Sequence, residues 1–284
     1  MRCDYAAMLK NVKDKIAQQA IRALMTEVCI APKPGLVDRT NNGAHKDMDI
    51  FTFIDSASSI FSYFREIVDY SSCYTGDLAE LLPKLTPMGI QAERDMFLAT
   101  GGVNTHKGVI FSLGVLCAAV AVTSKSTELG LAEVCATIAG SRIRGQEATN
   151  ARNTHGEQVF VQHGLTGILG ESGKGFPNVF KVALPVLKRY IEAGNSIEEA
   201  GVVALLHLIA SVDDTNIITR SDIYTLQKIK SEVKTKISAF TDVRSYIEYA
   251  KELDVEFIKQ GISPGGSADL LACTLFVYYC GVSS

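Results

Sequence analysis

Residues 109–122, "VIFSLGVLCAAVAV", carry no charge, and every position except Ser112 and Gly114 is apolar. The run is shorter than the roughly 20 residues that a membrane-spanning helix needs. It reads instead as a helix buried on all sides, which asks for a surrounding shell of other helices. Helical periodicity fills the rest of the chain. From Ile50, apolar residues recur at Phe53, Ile54, Ala57, Ile60, Phe61, Phe64, Ile67 and Val68, the spacing of one buried helical face. Asp47 or Asp49 can cap that helix. Ser196 and Glu199 form a capping-box pair before "AGVVALLHLIA", with the packed interior suggesting a hydrogen-bonded core position for His207. Further helices are expected over 12–29, 84–99, 106–123, 127–142, 178–193 and 221–239. Pro185 should kink or split the 178–193 helix. Another helix should start near Thr241 and stop at Gly261, and Ser263-Pro264 should open the last one. No alternating strand pattern stands out. The expectation is a single all-α domain over residues 1–284, about ten helices with the active site on their connecting loops.

Composition bounds the partners. With 47% hydrophobic and 21% charged residues the chain is globular, and a net charge of -3 argues against nucleic-acid binding. Seven scattered cysteines without a C-x-x-C pair suit buried thiols in a reducing compartment. The polar N-terminal stretch shows no signal peptide, so a cytoplasmic protein with no membrane partner is expected.

Four segments interrupt the apolar rhythm with residues that packing does not require. In "APKPGLVDRTNNGAHKDMD", residues 31–49, Lys33, Asp38, Arg39, His45 and Lys46 line a proline-stiffened loop too long for a bland connection. "TGGVNTHKG", residues 100–108, sets Gly101, Gly102, Asn104, Thr105, His106 and Lys107 at the mouth of the buried helix. A helix start suits an anion, although the glycine order excludes a Walker A loop. Asn104 or Thr105 as an ordinary cap would explain one residue and leave His106 and Lys107 over. "SVDDTN", residues 211–216, puts Asp213 and Asp214 side by side after an apolar helix, with His207, Ser211 and Asp214 on one face if that helix continues. Paired carboxylates there suit a cation such as Mg²⁺ or a solvated turn. "SPGGSADLL", residues 263–271, offers a nest of N–H groups from Gly265, Gly266 and Ser267, with Asp269 in the following turn. Four such clusters suggest a single pocket for a polyanion with a metal ion.

In "PKPGLVDRTNNGAHKDMDIFTF", "AERDMFLATGGVNTHKGVIFSLG", "HLIASVDDTN" and "SPGGSADLLACT" the chain resembles the triphosphoribosyl-dephospho-CoA synthase family, from about Glu27 to Thr274. The resemblance implies an all-α transferase that acts on ATP and 3′-dephospho-CoA. Adenine leaves, the ribose carbon that held it joins the 2′-hydroxyl of dephospho-CoA, and the triphosphate stays intact. The product would be the prosthetic-group precursor of citrate lyase or malonate decarboxylase, taken up by a separate holo-acyl-carrier-protein synthase. A homo-oligomer is compatible with the sequence. The family pattern departs at His163 and Leu169, where Lys174 could supply a missing cation, and at Ala31.

Within that reaction Lys33, Arg39, Lys46 and Lys107, with the Gly101-Gly102 and Gly265-Gly266 backbones and Ser267, are expected on phosphates. Asn104 and Thr105 would face the ribose or the acceptor. Asp213, Asp214 and Asp269 are the candidate ligands of Mg²⁺ arriving with ATP. Asp38 and His45 are the candidate base and acid, with His106 in reserve. Two rivals accompany this assignment: a metal-dependent ADP-ribosyl hydrolase-like enzyme, and an ATP-binding partner without catalysis.

Overall fold

A computed structural model describes the backbone of residues 2–123, 129–147, 165 and 167–282, and their side chains except those of 2–12 and 141–147. Every regular element among them is helical. In chain order they are α1 (Arg2–Cys29), α2 (Ile50–Ser59), α3 (Phe61–Cys73), a 3₁₀ turn (Leu78–Glu80), α4 (Leu81–Ala99), α5 (Lys107–Thr123), α6 (Leu131–Glu147) and α7 (Gly167–Gly173). Then follow a π-turn over Asn178–Ala183, α8 (Leu184–Glu192), α9 (Ile197–Ile209), α10 (Thr215–Arg220), α11 (Ile223–Ile237), α12 (Val243–Gln260) and α13 (Gly265–Cys280).

The apolar helix sits where its composition demands. Residues 112–122 of α5 are all buried, and so are residues 270–277 of α13 and most of α9. A helix that is apolar all round survives only inside other helices. α5 packs against α3, α6 and α13, while α1 lies across α3 and α13. The buried side chains of these elements form one continuous core. Each Leu, Ile or Phe enclosed there contributes about 1.5–3 kcal/mol relative to exposure. Cys117, Cys135 and Cys273 are free thiols within that core, and burial raises all three above the ordinary thiol range. No described helix is long and apolar enough to cross a membrane.

Local signals set several boundaries as expected. Asp49 caps α2, accepting from the Thr52 N–H at 2.9 Å. Ser196 and Glu199 exchange both capping-box bonds. Gly261 ends α12 with φ 69°, while Ile262 N–H returns to Phe257 O at 2.9 Å. Other boundaries differ. The helix expected from Ile50 breaks at Ile60, after Ser58 and Ser59 bond back to the carbonyls of Ile54 and Ser56. Asp242, rather than Thr241, caps α12 through the Ser245 N–H. Pro185 splits its helix: the turn before it is π, with Leu184 N–H reaching Val179 O. A proline without an N–H fits the first turn of α8. α9 stops at Ile209, so His207 and Asp214 share no helical face. His207 stacks on Tyr246 at 6.0 Å, yet its Nε2 has no hydrogen-bond partner among the described residues, contrary to expectation.

Two features of this packing create the site. α5 and α13 lie against each other, and both begin at the same cavity. The long 31–49 loop and the 213–220 segment close over those helix starts.

Candidate active site

The cavity has a volume of about 850 Å³ and takes residues from all four polar segments. The 31–49 loop supplies Lys33 and His45, and the start of α5 supplies Asn104, Thr105, His106 and Lys107. Asp213, Asp214 and Arg220 come from the 213–220 segment, and Gly265, Gly266 and Asp269 from α13. α7, the turn after it and the π-turn add Leu169, Glu171, Lys174 and Asn178. Of the departures from the family pattern, Leu169 lies on the wall together with Lys174, the candidate replacement cation, and Ala31 lies on a second cavity, while His163 falls outside the described residues, as do residues 148–158 of the polar 144–158 stretch.

At its floor Lys33 and Glu27 form an ion pair of 2.5 Å, with side chains only 2% and 6% exposed. Burial raises the Glu27 pKa and the lysine charge opposes that rise. Lys33 is thus matched internally, and its charge is not free for a phosphate. His106 lies beside it, 4% exposed, with Phe53 edge-on at 5.1 Å. Thr105 Oγ1 donates to Ser56 Oγ at 2.6 Å, and Ser56 Oγ lies 2.6 Å from His106 Nδ1. With Ser56 Oγ donating its hydrogen bond to Nδ1, the tautomer carries the imidazole proton on Nε2, which is buried without a partner among the described residues. Burial, aided by the Lys33 charge, lowers the His106 pKa to about 3. The ring is neutral at physiological pH, so it offers a hydrogen bond and not an acidic proton.

The α13 start does receive an anion, but the anion is Asp214. Its carboxylate accepts from Ser267 N–H at 2.8 Å, Ser267 Oγ at 3.0 Å, Gly266 N–H at 3.2 Å and Asn216 N–H at 3.0 Å. The expected phosphate role of the Gly266 and Ser267 groups is displaced by this internal carboxylate. Gly265 and Gly266 are required for close approach, since a Cβ on either would stand 2.9 Å from Asn216 Nδ2 or 3.1 Å from Asp214 Oδ1. With four bonds filling its oxygens, Asp214 is not presented to a metal. Asp213 pairs with Lys230 at 2.5 Å. Among the described residues no three His, Cys, Asp or Glu side chains converge as a metal-ligand set. A closed cage of protein ligands is thus not present among the described residues, whereas Mg²⁺ typically binds through one or two carboxylates together with substrate phosphates.

Asp269 differs from both. It lines the cavity half-buried, and its carboxyl has no hydrogen-bond partner among the described residues. Burial, then the charges of Asp214 and Glu27, raise its pKa well above the usual carboxylate range.

Several expected residues hold the loops instead of the cavity. Asp38 is 2% exposed and accepts from Lys33 N–H at 3.0 Å, Thr40 N–H and Oγ1 at 2.6 Å, and Asn41 N–H at 3.0 Å. Three of these bonds fall on Oδ1 and one on Oδ2, so the carboxylate organises the turn, and Asp38 does not line the cavity. Arg39 pairs with Glu198 beside a second, separate cavity of about 660 Å³. Lys46 is exposed and lines neither cavity. Both nitrogens of His45 are engaged, Nε2 with Ser263 Oγ at 2.9 Å and Nδ1 with Arg220 Nη2 at 3.3 Å, and burial lowers its pKa. Gly101 and Gly102, at φ 63° and 93°, close the C-terminus of α4. Gly102 N–H returns to Phe97 O at 2.7 Å, so this pair ends one helix and does not cradle a ligand for the next. Asn104 caps α5 by accepting the Lys107 N–H at 3.3 Å. Lys107 Nζ stands 3.3 Å from Glu93 at the cavity rim.

Sequence reasoning missed Glu27, Ser56, Glu93, Glu171, Asn178 and Arg220. Glu27 alone left a local trace, a carboxylate continuing the buried series Ala20, Ala23 and Leu24. Glu171 accepts Asn178 N–H at 2.6 Å and Nδ2–H at 2.9 Å, next to Phe176 at φ 56°. Phe176 itself is buried in the core, and the π-turn that follows it brings Asn178 to the cavity wall.

The model of the CitG family, ATP:dephospho-CoA triphosphoribosyl transferase, matches residues 13–284. A 2-(5''-triphosphoribosyl)-3'-dephosphocoenzyme-A synthase of Pectobacterium atrosepticum is 38% identical over 270 residues, 93% of this chain and 88% of that protein. A protein of Citrobacter koseri named a probable synthase of the same compound is 39% identical over 282 residues, 96% of this chain and 93% of its own. No solved structure matches the chain. Nothing in these relationships supports the hydrolase or the non-catalytic alternative. The chain belongs to the ATP:dephospho-CoA triphosphoribosyl transferase family.

Proposed function

We propose that the protein converts ATP and 3′-dephospho-CoA into 2′-(5″-triphosphoribosyl)-3′-dephospho-CoA and adenine. The observation that carries this reading is the single cavity with two kinds of wall. Val37, Met48 and Phe53 form an apolar cluster against His106, suited to a purine ring. Lys107, Lys174 and Arg220 stand on the same cavity as cations for phosphates. Nothing in this proposal asks for phosphoryl transfer: the triphosphate is gripped and survives while the glycosidic bond breaks. Mg²⁺ is assigned to the incoming ATP as part of the substrate, and no step is routed through it. The transition state has oxocarbenium character, and direct displacement needs an acceptor for the 2′-hydroxyl proton. The product would then serve citrate lyase or malonate decarboxylase through a separate holo-acyl-carrier-protein synthase in the cytoplasm.

Mass analysis after mixing protein, ATP, Mg²⁺ and dephospho-CoA tests this. Adenine and the triphosphoribosyl product should appear together, and only with both substrates present. Adenine released from ATP alone would mean hydrolysis, and ATP bound with no adenine formed would mean a non-catalytic binder.

A further inference from the structure

We infer that Asp269 is the proton acceptor of this transferase, taking the 2′-hydroxyl proton of dephospho-CoA as that oxygen attacks the ribose carbon. The inference rests on the reaction proposed above and on how the cavity's acids are disposed. Asp214 is filled by four donors, Glu27 is held by Lys33, Asp213 by Lys230 and Glu93 by Lys107, while the exposed Asp47 faces His45 and Asp38 does not line the cavity. Glu171 is occupied by Asn178. Asp269 is the acid on this wall whose oxygens have no partner among the described residues. α5 makes room for it: at Gly108 any side chain would collide with Oδ2, at 2.1 Å from an ideal Cβ. The Nε2 of His106, on the same wall, also has no partner among the described residues, an independent sign that polar groups here await a ligand.

The balance closes without any further reactant. The 2′-oxygen forms its bond to the ribose carbon, the carbon–nitrogen bond to adenine breaks with its electrons on the base, and the hydroxyl proton passes to Asp269. Adenine takes up one proton to leave neutral, which restores the count when Asp269 is deprotonated again.

The test compares wild type with Asp269→Asn and Asp269→Ala, measuring adenine formed from ATP, Mg²⁺ and dephospho-CoA, with thermal melts to verify folding. The asparagine variant should lose about 100-fold or more in kcat, with KM for ATP within about threefold. Formate, small enough to enter the space left by Asp269→Ala, should recover at least about tenfold in kcat of that variant and nothing in Asp269→Asn. A purely structural role would show no such recovery. A folded Asp269→Asn protein with kcat near wild type, a loss confined to KM, or no formate recovery in Asp269→Ala overturns the assignment. Absence of adenine with the wild type would instead overturn the reaction itself.

Discussion

Gly108 on α5 and Asp269 on α13 meet with no room for a methyl group between them: a Cβ at Gly108 would lie 2.1 Å from Asp269 Oδ2. The two innermost helices thus touch through a glycine and a carboxyl, at the point where both open into the cavity. Gly108→Ala should push the carboxyl aside, because the contact is with the end of a side chain that can rotate. Displacements of about 1 Å in a reacting group cost up to about 100-fold in rate. The expected result is a kcat reduced at least about tenfold with little loss of stability, since alanine favours helix by about 1 kcal/mol over glycine. Steady-state kinetics beside a thermal melt decides it, and unchanged kcat would show that the position of Asp269 does not matter.

Asp214 gives the opposite prediction. Four donors from two segments converge on it, including the Ser267 N–H and hydroxyl 53 residues further along the chain. Asp214→Ala would strand those groups at the start of α13, each buried unsatisfied group costing about 1–3 kcal/mol. A loss of about 2–4 kcal/mol in chemical denaturation is expected, with the Mg²⁺ concentration for half-maximal activity unchanged in the folded fraction. A shifted Mg²⁺ requirement at wild-type stability would return Asp214 to the metal.

The Glu27–Lys33 pair should behave as a unit. Removing one partner of a buried pair leaves an uncompensated charge and costs about 3–5 kcal/mol, whereas replacing both with apolar groups is often close to neutral. Lys33→Met is therefore expected to destabilise more than the double variant Glu27→Leu/Lys33→Met. Denaturant midpoints of the four proteins of the cycle measure the coupling, and additive losses would mean that the pair makes no net interaction.

Legibility in the sequence followed the range of the interaction. Asp49, the Ser196–Glu199 box and Gly261 act within a few residues, and each did what its local pattern announced. The four polar segments were also correctly gathered into one cavity, because packing gave no reason for any of them. Their internal roles were not legible. The Gly101-Gly102 pair precedes α5 in the sequence but serves α4, and spacing alone does not say which helix a glycine pair terminates or opens. Helix α13 does present an anion site, yet the chain fills it with its own Asp214 from another segment. Arg39 and Lys46 look like phosphate ligands by residue type, and only tertiary packing turns them away from the cavity. For Arg39 and the α13 start the deciding partners, Glu198 and Asp214, lie far along the chain, beyond the reach of local spacing.

His106 carries the clearest pH signature. Burial and the nearby Lys33 charge hold its pKa at about 3 in the folded protein, against about 6.5 for an unfolded histidine. Between those values the unfolded chain binds the proton and the folded one does not, so stability falls as pH falls through that window. The sign is that of a lowered histidine: nothing is lost above about pH 6.5, and up to about 1.4 kcal/mol is lost per pH unit below it. His45 and His207 have lowered values from the same cause and add to the trend. Asp269, Glu27 and Asp214, raised by burial, oppose it between the ordinary carboxylate range and their own values. The difference between wild type and His106→Gln isolates the one group, since glutamine keeps a donor without titrating. Wild type should lose about 2–3 kcal/mol relative to His106→Gln between pH 6 and pH 4, read from urea denaturation at each pH. A difference independent of pH would mean that the folded imidazole takes its proton as freely as the unfolded one, and that the cavity floor is open to water.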